Sequence, residues 1–259
     1  MLDTGFDIPI HYDRHFDVLR AATPNLVREA YRLRYQVYCV ENPFEDPEQH
    51  ISACENDDDD DRSIHTLLLH RRTGEIAGTT RVILPNQRRS RPLPMATLLQ
   101  GSDRRRFDSF PVAHTAELSR FAVSKQFRRR LGERRYPDVG FGDAALIETE
   151  RRLMPFISLG LIRGMFEICL EHKITHLAAV MEPPLIRILH RLGLDFMPIG
   201  GIVMHHGLRQ PCFALLDDLV QHSREADSIV WQYAVEPLLR EHNEARRHAV
   251  AEPAQRSAI

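Results

Sequence analysis

Cysteine is sparse and scattered: Cys39, Cys54, Cys169 and Cys212 form no C-x-x-C pair. That argues against a structural metal site or a disulfide framework and fits free thiols in a reducing cytoplasm. Net charge is nearly absent, with 34 Lys and Arg against 36 Asp and Glu, a formal −2. No global field therefore draws the chain to nucleic acid or to an anionic membrane, and any electrostatic partner must be read from local patches. Long apolar runs are missing as well. The stretch Pro155 to Leu170 is interrupted by Arg163 and Glu167, too polar and too short to span a bilayer. The first ten residues carry Asp3 and Asp7 and no apolar core, so no signal peptide is expected. There is no Gly/Ser linker, no internal repeat and no G-x-S-x-G, which disfavours a serine hydrolase. His205 and His206 are adjacent and have no third ligand at supporting spacing, so a metal centre is not expected.

What is present is a chain of 259 residues, 43% hydrophobic, ample for a sizeable core. Thr23-Pro24 is a helix start, and Leu26, Val27, Ala30, Leu33, Val37 and Tyr38 repeat on one face of an amphipathic helix over about 24–39. No regular element is expected over 41–61, which ends in five aspartates, Asp57 to Asp61. Ile64 to His70 and Glu75 to Leu84 read as a hairpin around Arg71-Arg72-Thr73-Gly74. Further expectations are a short helix near Met95 to Leu99, a strand over 117–123, a buried helix over 155–172, a strand over 175–181 and a helix over 184–191 stopped by Gly193. Two strands over 196–204 and 211–216 and helical patterning over 217–220 and 227–249 complete the reading. The order indicates one α/β domain over 1–225, a mixed sheet with helices on both faces, and a helical extension with a frayed tail over 226–259.

The strongest pointer to chemistry is Ala116-Glu117-Leu118-Ser119-Arg120-Phe121. It sets a carboxylate and a guanidinium in an otherwise apolar strand, which is expensive unless the charges are paired or used. On an extended strand residues three apart point to opposite faces; a bulge brings them to one side. Arg81, within Gly78-Thr79-Thr80-Arg81, is either an edge charge or part of a polar groove with Glu117 and Arg120. The acidic run Glu55 to Asp61 is a solvated charge run, a contact for a basic group or, more weakly, a cation loop lacking the EF-hand spacing. The run Lys125 to Arg135 is a solvated loop or a patch for an acidic or phosphate-bearing partner. Few aromatics interleave it, as single-stranded nucleic acid would require.

Together, Leu33-Arg34-x-x-Val37-Tyr38, Glu55-x-Asp57-x-x-Asp60, Gly78-Thr-Thr-Arg81, Glu117-x-Ser119-Arg120-Phe121, Ala178-Ala-Val-Met181 and Pro184 to Gly193 resemble the acyl-homoserine lactone synthases and the long-chain N-acyl amino acid synthases. The run Gly200 to Pro211 looks closer to acyltransferases associated with exosortase and PEP-CTERM sorting. The resemblance implies a GNAT-like, mostly antiparallel sheet. It implies acyl transfer from the phosphopantetheine thioester of an acyl carrier protein to an α-amine, with no bound cofactor. Glu117 and Arg120 are then the catalytic candidates, and Arg34, Tyr38, Asp57, Asp60, Arg81 and Ser119 the substrate-binding ones. Arg128, Arg129, Arg130 and Arg134 are the carrier-docking candidates, and the helix over 155–170 walls an acyl tunnel. The alternatives are a lactone synthase using S-adenosylmethionine and a non-catalytic acyl-carrier-binding module. Lactone synthases carry a tryptophan shortly after the first-helix aromatic residue; here that stretch is Cys39-Val40-Glu41-Asn42-Pro43, and the only tryptophan is Trp231.

Overall fold

The computed structural model describes residues 7–85, 92–128, 144–205 and 207–251. Helix α1 (Ile8–His15) leads directly into β1 (Phe16–Arg20), two elements the sequence did not announce. Thr23 caps α2 (Pro24–Tyr35) by accepting from the Leu26 N–H at 3.3 Å. The helix continues as a π-helical turn over Gln36–Glu41, two residues beyond the expected end at 39. The acidic segment is more ordered than expected. Asp58–Arg62 forms a 3-10 turn with a capping box, in which Asp57 accepts from the Asp59 N–H (2.9 Å) and Asp60 from the Asp57 N–H (2.8 Å). Aspartates stabilise a helix N-terminus, which favours order in this like-charged run.

The hairpin is β2 (Ser63–His70) and β3 (Glu75–Ile83), turning through Gly74 at φ 71. Two short helices follow, α3 (Pro94–Leu98) and α4 (Gly101–Asp108), then β4 (Thr115–Val123) and α5 (Lys125–Arg128). Helix α6 (Ala144–Leu153), which had no sequence expectation, precedes α7 (Leu159–Glu171). The helix expected from Pro155 starts later because Met154–Phe156 is a 3-10 turn. Strand β5 (His176–Met181) and helix α8 (Pro183–Arg191) match the expectation closely. The strand expected over 196–204 is broken into β6 (Met197–Pro198) and β7 (Val203–Met204). Between them Gly200 sits at φ 81, and proline removes a ladder donor. Both pieces pair with β8 (Leu208–Leu215), which is followed by α9 (Leu216–Glu225), a π turn at Trp231–Val235 and α10 (Glu236–Ala251).

The sheet order is β1-β2-β3-β4-β5-β8-β6, with β7 also on β8. All of these pairings are antiparallel except β4 with β5. On one face α7 packs into the main core, where Gly160 and Gly164 permit close approach to β1 and β2: a Cβ on Gly164 would lie 2.3 Å from Thr66 Cγ2. On the other face α3 and α4 cover a smaller cluster that contains Ile83, Met95, Leu99, Phe107, Ala178 and Phe213. Val230, Tyr233, Ala234, Val235 and Leu238 of the C-terminal segment belong to the main core. Among the described residues no single helix is long and apolar enough to cross a membrane.

Candidate active site

Strands β4 and β5 run together only from Thr115 to Leu118, paired with His176 to Ala179. Beyond that, β4 bonds only to β3, while Val180 and Met181 of β5 bond only to β8. The sheet opens between them into a cavity of about 580 Å³. Leu118, Phe121, Ile162, Met165, Leu189, Leu194 and Phe196 give it an apolar lining; Glu45, Glu117, Ser119, Arg120, His205 and Arg209 give the polar part. Ile162 and Met165 of α7 are among its walls.

A bulge in β4 shapes the polar side. Arg81 pairs with Ser119 and Thr79 with Ala122, so β4 spends one residue more than β3 over the same interval. Arg120 absorbs the irregularity at φ 49, left-handed backbone that a non-glycine residue adopts only at a cost of about 1 kcal/mol or more. Its guanidinium is gripped in return: it donates to Glu55 (2.9 Å) and Asp57 (3.2 Å), reaches Glu45 at 3.5 Å and lies over the Tyr38 ring at 5.6 Å. The Tyr38 hydroxyl donates to the Phe121 carbonyl at 3.4 Å, just past the bulge.

The arginines and acidic residues of the motifs, Glu117 excepted, form a closed network. Arg34, fully buried, donates to Glu55 and, through both terminal nitrogens, to Asp60 at 2.7 and 3.1 Å. Arg81 donates to Ser119 (2.9 Å), Asp57 (2.6 Å) and Asp60 (2.9 Å). Burial pushes the Glu55 carboxyl up, but the Arg34 and Arg120 guanidiniums outweigh it and hold it at about 2. Asp57 is likewise held at about 2, burial being overridden by Arg81 and then Arg120, and Asp60 is lowered in the same way by Arg34 and Arg81. Asp57, Glu45 and Arg120, with side chains 34%, 22% and 21% exposed, bring this network to solvent; Asp60, Arg81 and Glu55 stay at 5% or below. Glu55 is the member the residue-by-residue reading underweighted. Its signal was present, as the first carboxylate of the acidic motif.

Glu117 stands apart. It makes no ion pair with Arg120, so the pair that marked this strand in the sequence is not a pair in space. It lies in the cross-strand row Ile83–Glu117–Ala178–Phe213, whose other three members belong to the apolar cluster under α3. Among the described residues its carboxylate accepts one hydrogen bond, from the Met95 N–H at 2.8 Å. Burial in that row pushes its carboxyl up to about 7, with the Met95 bond and Arg81 opposing weakly.

Arg129, Arg130 and Arg134 lie outside the described residues, as does the side chain of Arg128, whose backbone ends α5. His206 is also outside them; His205 lines the cavity. No group of three or more His, Cys, Asp or Glu among the described residues could hold a metal ion. Burial pushes the Cys169 and Cys212 thiols up to about 12, as befits packing residues.

The family described as the acetyltransferase (GNAT) domain matches residues 33–135. Three solved structures align over most of both chains. TofI in a ternary complex with an inhibitor and MTA has a TM-score of 0.56 at 20% identity, over 83% of this chain and 97% of its own. FeeM, an N-acyl amino acid synthase from uncultured soil microbes, has a TM-score of 0.55 at 15% identity, over 82% and 96%. The CoA-dependent acyl-homoserine lactone synthase BjaI, with SAM and isopentyl-CoA, has a TM-score of 0.52 at 18% identity, over 83% and 90%. The fold is GNAT-like. No curated protein matches the sequence.

Proposed function

We propose that this protein is an N-acyltransferase that moves a long acyl chain from a carrier thioester to the α-amine of an amino acid. The carrying observation is the cavity at the β4–β5 separation, where a mostly apolar volume meets an ionisable rim beside a buried carboxylate whose pKa is near neutrality. The GNAT domain match and the likeness to acyl-homoserine lactone and N-acyl amino acid synthases support acyl transfer as the reaction class.

The chemistry has three requirements: a deprotonated amine, a stabilised tetrahedral oxyanion and a departing thiolate. Glu117 takes the ammonium proton, directly or through a water, and a carboxyl titrating at about 7 is matched to that role near neutral pH. Where β4 leaves β5 its backbone N–H groups no longer bond across to that strand, and one of them serves the oxyanion. The apolar side, with Ile162 and Met165 of α7, takes the acyl chain. Glu45 and Arg120 form the polar rim, with Asp57 behind Arg120, while Arg34, Asp60, Arg81 and Ser119 hold the bulge that positions them; Tyr38 braces the strand at Phe121. The basic run over 125–135, with Arg128, Arg129, Arg130 and Arg134, docks an acidic acyl carrier protein.

Expression in a bacterial host followed by mass spectrometry of lipid extracts tests the proposal. A new N-acyl amino acid that disappears in Glu117→Gln is expected; extracts unchanged by wild type, or products identical in both, overturn it. The second reading, lactone synthesis, draws on the lactone synthases among the structural neighbours. Calorimetric binding of S-adenosylmethionine would favour it. A non-catalytic module would bind carrier equally well with Glu117→Gln and turn nothing over.

A further inference from the structure

One arginine on the cavity wall is set apart from the buried carboxylate network. Arg209 lies on β8 opposite Val203 of β7, and with His205 it lines the cavity. The apolar side chains of Met204 and Leu208, one position away on each strand, face solvent at 76% and 61% exposure. The hairpin thus turns its charge inward and its apolar face outward, the reverse of what burial alone would favour. A cation aimed into a cleft at that expense has a use there.

Its surroundings define the use. The Arg209 guanidinium stacks over the Phe44 ring at 5.4 Å and pairs with Glu182 at the N-cap of α8, a carboxylate with its side chain 49% exposed. Its charge reaches Tyr38, where it opposes the rise in the hydroxyl's pKa caused by burial. The loop that carries Phe44 is tied to that tyrosine, because the Phe44 and Glu45 N–H groups both donate to the Tyr38 carbonyl, at 2.9 and 3.1 Å. Glu45, next in the chain, adds a carboxylate to the same rim, 3.5 Å from Arg120. Arg34, Arg81 and Arg120 are held by carboxylates that are part of the fold; the carboxylate that Arg209 meets among the described residues, Glu182, is at the surface, and ion pairs open to solvent are weak enough to exchange partners. A planar guanidinium over an aromatic face is suited to receive a carboxylate through two hydrogen bonds.

We propose that Arg209 is the binding site for the acceptor's α-carboxylate, which replaces Glu182 when substrate enters, and that it makes the protein select free amino acids over amines. This rests on the amine-acylating reading above. In it, Phe44 orients the planar guanidinium for the substrate, and Glu45 supplies the opposite charge that a zwitterion needs on the same rim.

The full-length protein is incubated with dodecanoyl thioesters of both CoA and acyl carrier protein. Acceptors are a mixture of the protein amino acids or, separately, their decarboxylated amines, and products are read by mass spectrometry. Kinetics are then measured on the best amino acid and its own amine. The wild type is expected to favour the amino acid in kcat/KM by about tenfold to a hundredfold, the worth of a charge-assisted bond. Arg209→Ala is expected to reduce that ratio to within about twofold, with Arg209→Lys between. Glu182→Gln, which removes the competing carboxylate, should lower the KM for the amino acid. An unchanged ratio in Arg209→Ala, or a loss of both substrates in proportion, overturns the assignment. A wild type that acylates amines as readily as amino acids also overturns it while leaving amine acylation standing; a wild type that acylates neither removes that reading itself.

Discussion

At the scale of residues, Glu117 and the carboxylates held by Arg34, Arg81 and Arg120 pull stability in opposite directions with pH. The folded-state pKa of Glu117, about 7, lies above its ordinary value, so the folded protein keeps a proton that the unfolded chain gives up. Below its unfolded pKa this group costs nothing; as pH rises through about 7 the buried charge costs on the order of 3 kcal/mol. Glu117→Gln should therefore unfold at a higher temperature than wild type at pH 8 and at nearly the same temperature at pH 4, read by scanning calorimetry. On the proposed function the same change lowers kcat by roughly 10²- to 10⁴-fold, and the wild-type rate rises with pH to a limb near 7. A stabilised but inactive variant is the signature of a carboxylate buried for use. Glu55 and Asp57, held at about 2, have the reverse sign: their stabilisation is present above the unfolded carboxylate range and is lost as pH falls from about 4.5 towards 2. Circular dichroism should show acid unfolding in that window. Arg34→Ala, which leaves buried Glu55 and Asp60 with one arginine each, Arg120 and Arg81, in place of two, should cost about 3 kcal/mol in a urea titration.

Elements divide by how much of their determinant is local. Hairpin β2–β3, with its glycine turn, strand β5 and helix α8 with its glycine stop were legible because period, turn residue and boundary coincide in sequence. The splitting of the 196–204 segment was not, since it depends on how β8 divides its edge between two short partners. The bulge in β4 was foreseen only as a possibility. What fixes it is Glu55 and Asp57, more than sixty residues upstream, reaching Arg120. The candidate site was legible to the same degree. The motifs named the arginines and aspartates that meet, but the sequence could not show that Glu117 turns away from Arg120 into an apolar row, because that is decided by β3, β5 and α3 together. Helix α7 carries a further prediction. With Gly164 against Thr66 at distances no real Cβ could occupy, Gly164→Ala must push the helix off the sheet or force Thr66 aside. The helix-propensity gain of about 1 kcal/mol is then outweighed by overpacking of about 1–3 kcal/mol. Denaturant unfolding of Gly164→Ala beside Thr66→Ala/Gly164→Ala separates the two, since trimming the threonine should recover most of the loss.

For the whole molecule, the question is whether residues 226–259 form an appendage or part of the fold. The apolar side of the C-terminal segment is spent on the same core that α7 and β2 build: Val230, Tyr233, Ala234 and Val235 are each at most 2% exposed. The Tyr233 ring lies 4.6 Å from that of Tyr12, and its hydroxyl donates to Asp13 at 2.8 Å. Tyr12 in turn donates to the Ile157 carbonyl and accepts from the Gly160 N–H. Helix α1 and the Trp231–Val235 turn therefore meet over the start of α7, the helix that walls the cavity. Truncation after Asp227 would uncover Tyr12, Phe16 and the outer side of α7, removing several core side chains at about 2–5 kcal/mol each, on the scale of the net stability of a domain. The truncated chain is expected to lose cooperative unfolding altogether, whereas Tyr233→Phe, which deletes one hydrogen bond and keeps the ring, should cost only about 1 kcal/mol. A truncated protein that melts at the wild-type midpoint would make the extension an independent appendage. A graded loss in Tyr233→Phe, Tyr233→Ala and the truncation would show that the cavity wall is braced from the C-terminus.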